Sequence, residues 1–178
     1  MGLAGAIFKR KWEADGKRQN LERSLFYYLK GYTQCLPADA PAEAREDVLG
    51  YVREKMKDPA WKMDATKDQG WNGLNAAFVL DLLAEQEDAE AKSVGISSEA
   101  ADVRRSHAKL IREELVRSVS SLTQLPDYEW LEDEWWYYAT VGEAYFGLGE
   151  YKKASEWLVE KSAAAGLRIG FGSRFAAK

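Results

Sequence analysis

Gly142, Tyr145, Gly149, Tyr151, Ala154 and Leu158 fall on the spacing of a single 34-residue helix-turn-helix repeat, and no other feature restricts the fold as much. In such a unit the small Gly142 lets two antiparallel helices close, and Tyr145 fills the groove between them. Gly149 breaks the chain between the helices, and Ala154 is the small residue where the second crosses the first. One unit cannot bury its own apolar face, so the rest of the chain must supply partners. A helical array is therefore the expectation. Arrays of this kind mostly present binding surfaces, which argues against an enzyme and against catalytic residues.

Helical spacing recurs along most of the chain. Leu3 to about Trp12 reads as a short helix ended by Gly16, and Asn20 as the N-cap of a second that runs to about Tyr32. Cys35 to Pro41 reads as a loop. Ala44, Val48, Tyr51, Val52 and Met56 mark a third amphipathic helix that stops near Asp58-Pro59. The stretch from Pro59 to Gly70 reads as irregular, with Trp61 and Met63 docked on the array. Trp71 to Glu85 is apolar on most sides, as an inner helix should be. Glu87 to Ser98 is polar and carries Gly95, which predicts an extended loop. Ser98 should cap a long helix to about Leu122 whose core face includes Val103, Leu110, Ile111, Leu115 and Leu122. The two helices of the final repeat follow Pro126, and the tail Leu167 to Gly172 reads as extended. The sum is an all-α chain of about seven helices in antiparallel pairs, without a sheet of three or more strands.

Composition sets limits on function. With 178 residues, 46% hydrophobic and 12% aromatic, residues 1–178 can form a single domain around one sizeable core. Seven Trp and nine Tyr imply large helix-helix contacts or an aromatic-lined groove. A single Cys35 excludes an internal disulfide framework and a cysteine-based metal cluster, and a single His107 excludes a multi-histidine metal site. No metal and no cofactor are expected. The net charge of −4 argues against a duplex nucleic-acid binder. No apolar run reaches the length of a membrane span, and Lys9, Arg10 and Lys11 interrupt the apolar start, so the cytoplasm is the expected location. Charge is uneven. Lys9, Arg10, Lys11, Lys17, Arg18, Arg23 and Lys30 make the first helical pair basic, which reads either as a solvated face or as a pocket for a small anion.

Four segments carry a family resemblance by their order and spacing: Gly2-Leu3-Ala4-Gly5-Ala6-Ile7-Phe8-Lys9, Tyr28-Leu29-Lys30-Gly31-Tyr32, Gly73-Leu74-Asn75-Ala76-Ala77, and Trp136-Tyr137-Tyr138-Ala139-Thr140-Val141-Gly142-Glu143-Ala144. The chain resembles the TRAF-binding, tetratricopeptide-like regulatory domain of apoptosis-signal-regulating kinases and its bacterial relatives, also called TPR-S. The resemblance covers most of the chain and is weakest from Leu36 to Gly70 and after Gly166. It implies tetratricopeptide-like antiparallel helix pairs forming a short right-handed solenoid that regulates an attached or associated effector. For the bacterial relatives it implies sensing of NAD-derived nucleotides in immune signalling and antiviral defence. Position by position, it points to Lys9, Asn75, Trp136, Thr140 and Glu143. The chain departs from the pattern at Ala6, where relatives often carry Arg, and at Arg10, where an acidic residue is common. A ligand contact made by that missing Arg would have to come from Arg10 or be absent.

The same residues form a chemically sensible set. Lys9, Asn75 and Glu143 lie on the first helices of their pairs, the helices that line the concave face of a repeat array. A Lys ammonium suits a phosphate, an Asn amide a base edge, a Glu carboxylate a pair of ribose hydroxyls, and the rings of Trp71, Trp136 and Tyr137 a base face. The predicted ligand-binding residues are thus Lys9, Arg10, Trp71, Asn75, Trp136, Tyr137, Thr140 and Glu143. Each also has a purely structural reading: Asn75 bonding helix backbone, Glu143 pairing with Lys9, the aromatics in the core. Expected partners are a small nucleotide-like ligand and an effector protein or domain, and a homo-oligomer is compatible with the sequence. The alternative function is a scaffold whose groove takes a peptide or helix. His107 reads as structural, Gly170-Phe171-Gly172 as a weak phosphate-loop match, and Asp81, inside an apolar helix, as an acid that bonds a neighbouring helix.

Overall fold

The computed structural model describes residues 2–166, and the expected extended tail from Leu167 to Gly172 lies outside them. Among the described residues every regular element is helical. Helices α1 (Gly2–Asp15) and α2 (Arg18–Tyr32) form an antiparallel pair joined at Gly16, whose φ of +66° turns the chain. Gly5 allows a close approach, because a Cβ there would press on the Tyr28 ring, and the Ser24 hydroxyl donates to the Gly5 carbonyl at 2.8 Å. The predicted N-cap Asn20 is instead inside α2. Its amide donates to the Asp15 carboxylate at 3.0 Å and ties the turn from within.

After two short 3-10 turns, helix α3 (Val48–Lys55) starts later than Ala44 because Asp47 caps it, accepting from the Gly50 N–H at 2.9 Å. The segment from Pro59 to Gly70 is irregular and docked as expected. Met63 is buried, Trp61 meets Tyr51 edge to face, and the Asp64 N–H donates to the Cys35 carbonyl at 2.7 Å.

Helix α4 (Trp71–Ser93) corrects the expectation of a loop from Glu87. Glu87 is only 7% exposed and receives hydrogen bonds from Arg18 at 2.5 Å and Arg104 at 2.8 Å. Charges from α2 and from helix α5 (Glu99–Ser118) thus hold a polar stretch in helical form. Ser98 caps α5 as predicted, its hydroxyl accepting from the Ala101 N–H at 3.1 Å. Two details differ. Val103 is exposed rather than core, and α5 ends before the separate 3-10 turn at Leu122–Gln124.

Helix α6 (Trp135–Gly147) pairs with α7, which begins at Tyr151–Ser155 and continues through a π-helical turn, Glu156–Lys161, into Ser162–Ala164. Gly149 breaks the chain at a φ of +77°, and Ala154 is buried at the crossing. Gly142 makes the tight contact, since a Cβ there would lie 2.7 Å from Leu158 Cδ2.

The pairs α1/α2, α4/α5 and α6/α7 pack in succession, with α2 against α4 and both α4 and α5 against α6, while α3 covers α5. One core cluster runs through them, including Leu21, Tyr32, Val52, Leu80, Ile111, Leu131 and Tyr137. No helix among the described residues is long and apolar enough to cross a membrane.

Candidate functional site

The first helices of the three pairs, α1, α4 and α6, border a cleft of about 660 Å³. Helical spacing dictates which side chains reach it. Ala6, Lys9, Arg10 and Glu13 share one side of α1. Trp71, the neighbours Leu74 and Asn75, Phe78, the neighbours Asp81 and Leu82, and Glu85 recur turn by turn on one side of α4, and Glu143, Phe146 and Gly147 come from the last turns of α6. Five of the eight predicted site residues, Lys9, Arg10, Trp71, Asn75 and Glu143, therefore meet in one place.

Lys9 is held there more firmly than an ordinary surface lysine. Its side chain is 15% exposed, its ammonium lies 5.0 Å from the centre of the Phe78 ring, and its partner is Glu13 at 3.5 Å, one turn along α1. That ion pair lies within α1. Arg10 stands exposed beside it. Lys11 and Arg23 instead lie over the Phe8 ring and Lys30 over Phe26, so the basic character of the first pair divides between the cleft and this aromatic patch.

Trp71 presents a partly exposed ring supported edge-on by the buried Tyr28, at 5.6 Å between centroids. Asn75 donates from Nδ2 to the Trp71 carbonyl at 2.8 Å, a bond within its own helix that fixes the amide. Its other N–H and its carbonyl oxygen retain hydrogen-bonding capacity toward the cleft.

Trp136, Tyr137 and Thr140, also among the predicted site residues, do not line this cleft. Tyr137 is core, donating to the Ser120 carbonyl at 3.1 Å and meeting Trp157 edge to face. Thr140 is buried, donates to the Trp136 carbonyl at 2.8 Å, and its methyl lies against Gly70 at the start of α4. Trp136 packs on the core beside Trp130. The physical reason is closure of the first turns of α6 by the segment entering α4, so that only the last turns of α6 border the cleft.

Arg112 is the main residue the sequence reading missed. It arrives from α5, donates to Asp81 at 2.5 Å, and borders the cleft together with Asp81 and Gly147. The signal was present in two halves. Asp81 is an acid within an apolar helix, and Arg112 is a cation inside the apolar stripe Leu110, Ile111 and Leu115. It also adds a third cation to a site that lacks the Arg expected at Ala6.

His107 lies half-buried on α5 away from the cleft, with burial and the neighbouring Arg53 holding its pKa below the usual value. Behind the docked loop, Glu114 is fully buried. It accepts from Tyr32 Oη at 3.0 Å and from the Met63 N–H at 3.2 Å, and burial pushes its pKa up to about 7 despite those bonds.

Compared with protein-family models, with curated proteins and with solved structures, the chain finds no match.

Proposed function

We propose that this chain is a non-enzymatic sensor of tetratricopeptide-like solenoid architecture that binds a small nucleotide-like ligand in the α1/α4/α6 cleft and controls an attached or associated effector. The observation that carries the reading is the convergence of Lys9, Arg10, Trp71, Asn75 and Glu143 on one cleft of about 660 Å³, within the range of roughly 300–1,000 Å³ usual for small-molecule sites. Its chemistry suits a nucleotide: the Trp71 ring offers a stacking face, the Asn75 amide a base-edge partner, Lys9 and Arg10 anion contacts, and Glu143 an acceptor for ribose hydroxyls. A ligand that bridges three successive helix pairs would change their relative packing, which is how such an array passes a signal onward. The resemblance to TPR-S domains adds the ligand class, NAD-derived nucleotides, and the setting, cytoplasmic immune-type signalling in bacteria.

Thermal-shift screening of the protein against ADP-ribose, cyclic ADP-ribose isomers and cyclic nucleotides tests the reading, followed by calorimetry on Lys9→Ala and Asn75→Ala. Loss of one charge-assisted contact at Lys9 should weaken binding about 10- to 100-fold. No stabilisation by any of these ligands, with capture of a peptide or helix by the same cleft, would replace the sensor with an interaction scaffold.

A further inference from the structure

Away from the cleft, the first helix pair exposes rings and cations together. Tyr28 points toward α4 and meets Trp71, so its neighbours Phe26 and Tyr27 turn away from that contact. Tyr27 stacks on Phe8 of α1 with centroids 5.6 Å apart, and Phe26 meets Tyr27 edge to face while remaining 59% exposed. Lys11 and Arg23 lie over Phe8, and Lys30 over Phe26. Among the described residues none of these three cations forms an ion pair. Glu22, beside Arg23 in sequence, is taken by Arg18. Exposed aromatic rings combined with arginine are what protein interfaces favour over the rest of a surface.

The same chain carries a complement to this face. No Lys or Arg occurs between Arg117 and Lys152, and Asp127, Glu129, Glu132, Asp133 and Glu134 crowd the segment that leads into α6. Among the described residues none of these five carboxylates forms an ion pair either. Trp130 and Trp135 stand exposed among them, Trp135 by 55%, and Trp130 is steadied against Trp136 at 6.1 Å between centroids. Within one molecule the two faces stay apart. The first pair packs on α4, whereas the acidic segment packs on α6 and on the turn at Leu122–Gln124.

We propose that these faces are the two halves of one contact between copies of this chain: the basic, aromatic face of α1 and α2 in one copy receives the acidic, Trp-bearing segment 127–135 of the next. Lys11, Arg23 and Lys30 find their carboxylates there, and Phe26 finds rings to pack against. Because the halves differ, the contact is head to tail. Each added copy leaves one face of each kind open, so association continues until a ring closes or the supply of copies limits it. None of these residues lines the α1/α4/α6 cleft, so the contact is independent of what the cleft binds.

Sedimentation velocity of the full chain tests this, from about 1 μM to about 1 mM protein. Wild type should gain mass with concentration, and raising salt from about 0.05 M to about 0.5 M should weaken the association at least about tenfold. Arg23→Glu with Lys30→Glu reverses the basic face, and Glu132→Lys with Asp133→Lys reverses the acidic one. Each double variant should keep the helical circular dichroism of wild type and sediment alone as a monomer. An equimolar mixture of the two should associate again, since each supplies the face that the other has lost, and two misfolded proteins would not. Phe26→Ala should weaken wild-type association about tenfold. A wild type that stays monomeric throughout overturns the proposal. So does an acidic-face variant that associates as wild type does, or a mixture of folded variants that stays monomeric. If monomeric wild type instead binds vesicles containing phosphatidylserine, and reversal of the basic face abolishes that binding, the face belongs to an anionic membrane surface and the self-contact falls.

Discussion

Glu114 should make the protein lose stability as pH rises through neutrality, opposite to the usual behaviour of a paired surface carboxylate. Its carboxyl is fully buried among Tyr32 of α2, Met63 of the docked loop and its own helix α5, with Asp68 adding negative charge nearby. Burial is the largest influence and raises the pKa from 4.5 to about 7, against the lowering effect of the bonds from Met63 and Tyr32. A raised folded-state pKa means that the native protein holds this proton more tightly than the unfolded chain does. Its stabilisation is therefore complete below pH 4.5 and is lost as pH climbs to about 7. At about 1.4 kcal/mol per pH step, the loss is on the order of 3 kcal/mol across that window. His107, whose pKa is lowered, has the opposite sign, with stability rising as pH rises through its range. Comparing wild type with Glu114→Gln cancels that contribution, because both carry His107. The assay is urea unfolding of the two proteins between about pH 4 and pH 8. The stability difference, wild type minus Glu114→Gln, should fall by about 3 kcal/mol as pH rises. A difference that is flat or grows with pH would refute the claim that desolvation governs this group.

Gly142→Leu should destabilise by about 2–4 kcal/mol, because even a Cβ collides with the Leu158 side chain across α6 and α7; unchanged melting would mean that α7 can move aside freely. Glu87→Gln should cost about 1.5–3 kcal/mol and raise amide exchange in the last turns of α4, since Arg18 and Arg104 lose their shared carboxylate; protection equal to wild type would show that local helix propensity suffices. Cys35 donates to Asp68 at 3.2 Å, and burial together with that carboxylate pushes its thiol far above the ordinary range. A thiol reagent at pH 8 should therefore label it only as fast as the protein opens, and prompt labelling of native protein would contradict the burial.

Local chemistry explains what the sequence by itself determined. The Ser98 cap, the Gly149 break and the Gly142–Leu158 contact depend on spacing within one or two helices, so each was legible from neighbouring residues. The same holds for the sharing of one side of α4 by Trp71, Asn75 and Phe78, which follows from helical period alone. Tertiary structure decided the rest. Polar residues 87–93 look like a loop until Arg18 and Arg104, distant in sequence, converge on Glu87. Trp136, Tyr137 and Thr140 have the right chemistry and the right helix, yet core packing and the approach of Gly70 take them out of the cleft. Arg112 reaches the cleft only because α5 packs behind α4 with Asp81 facing it and Gly147 leaving room. Periodicity sets which side chains share a helix face, whereas the packing of several helices sets whether that face looks onto solvent, core or cleft.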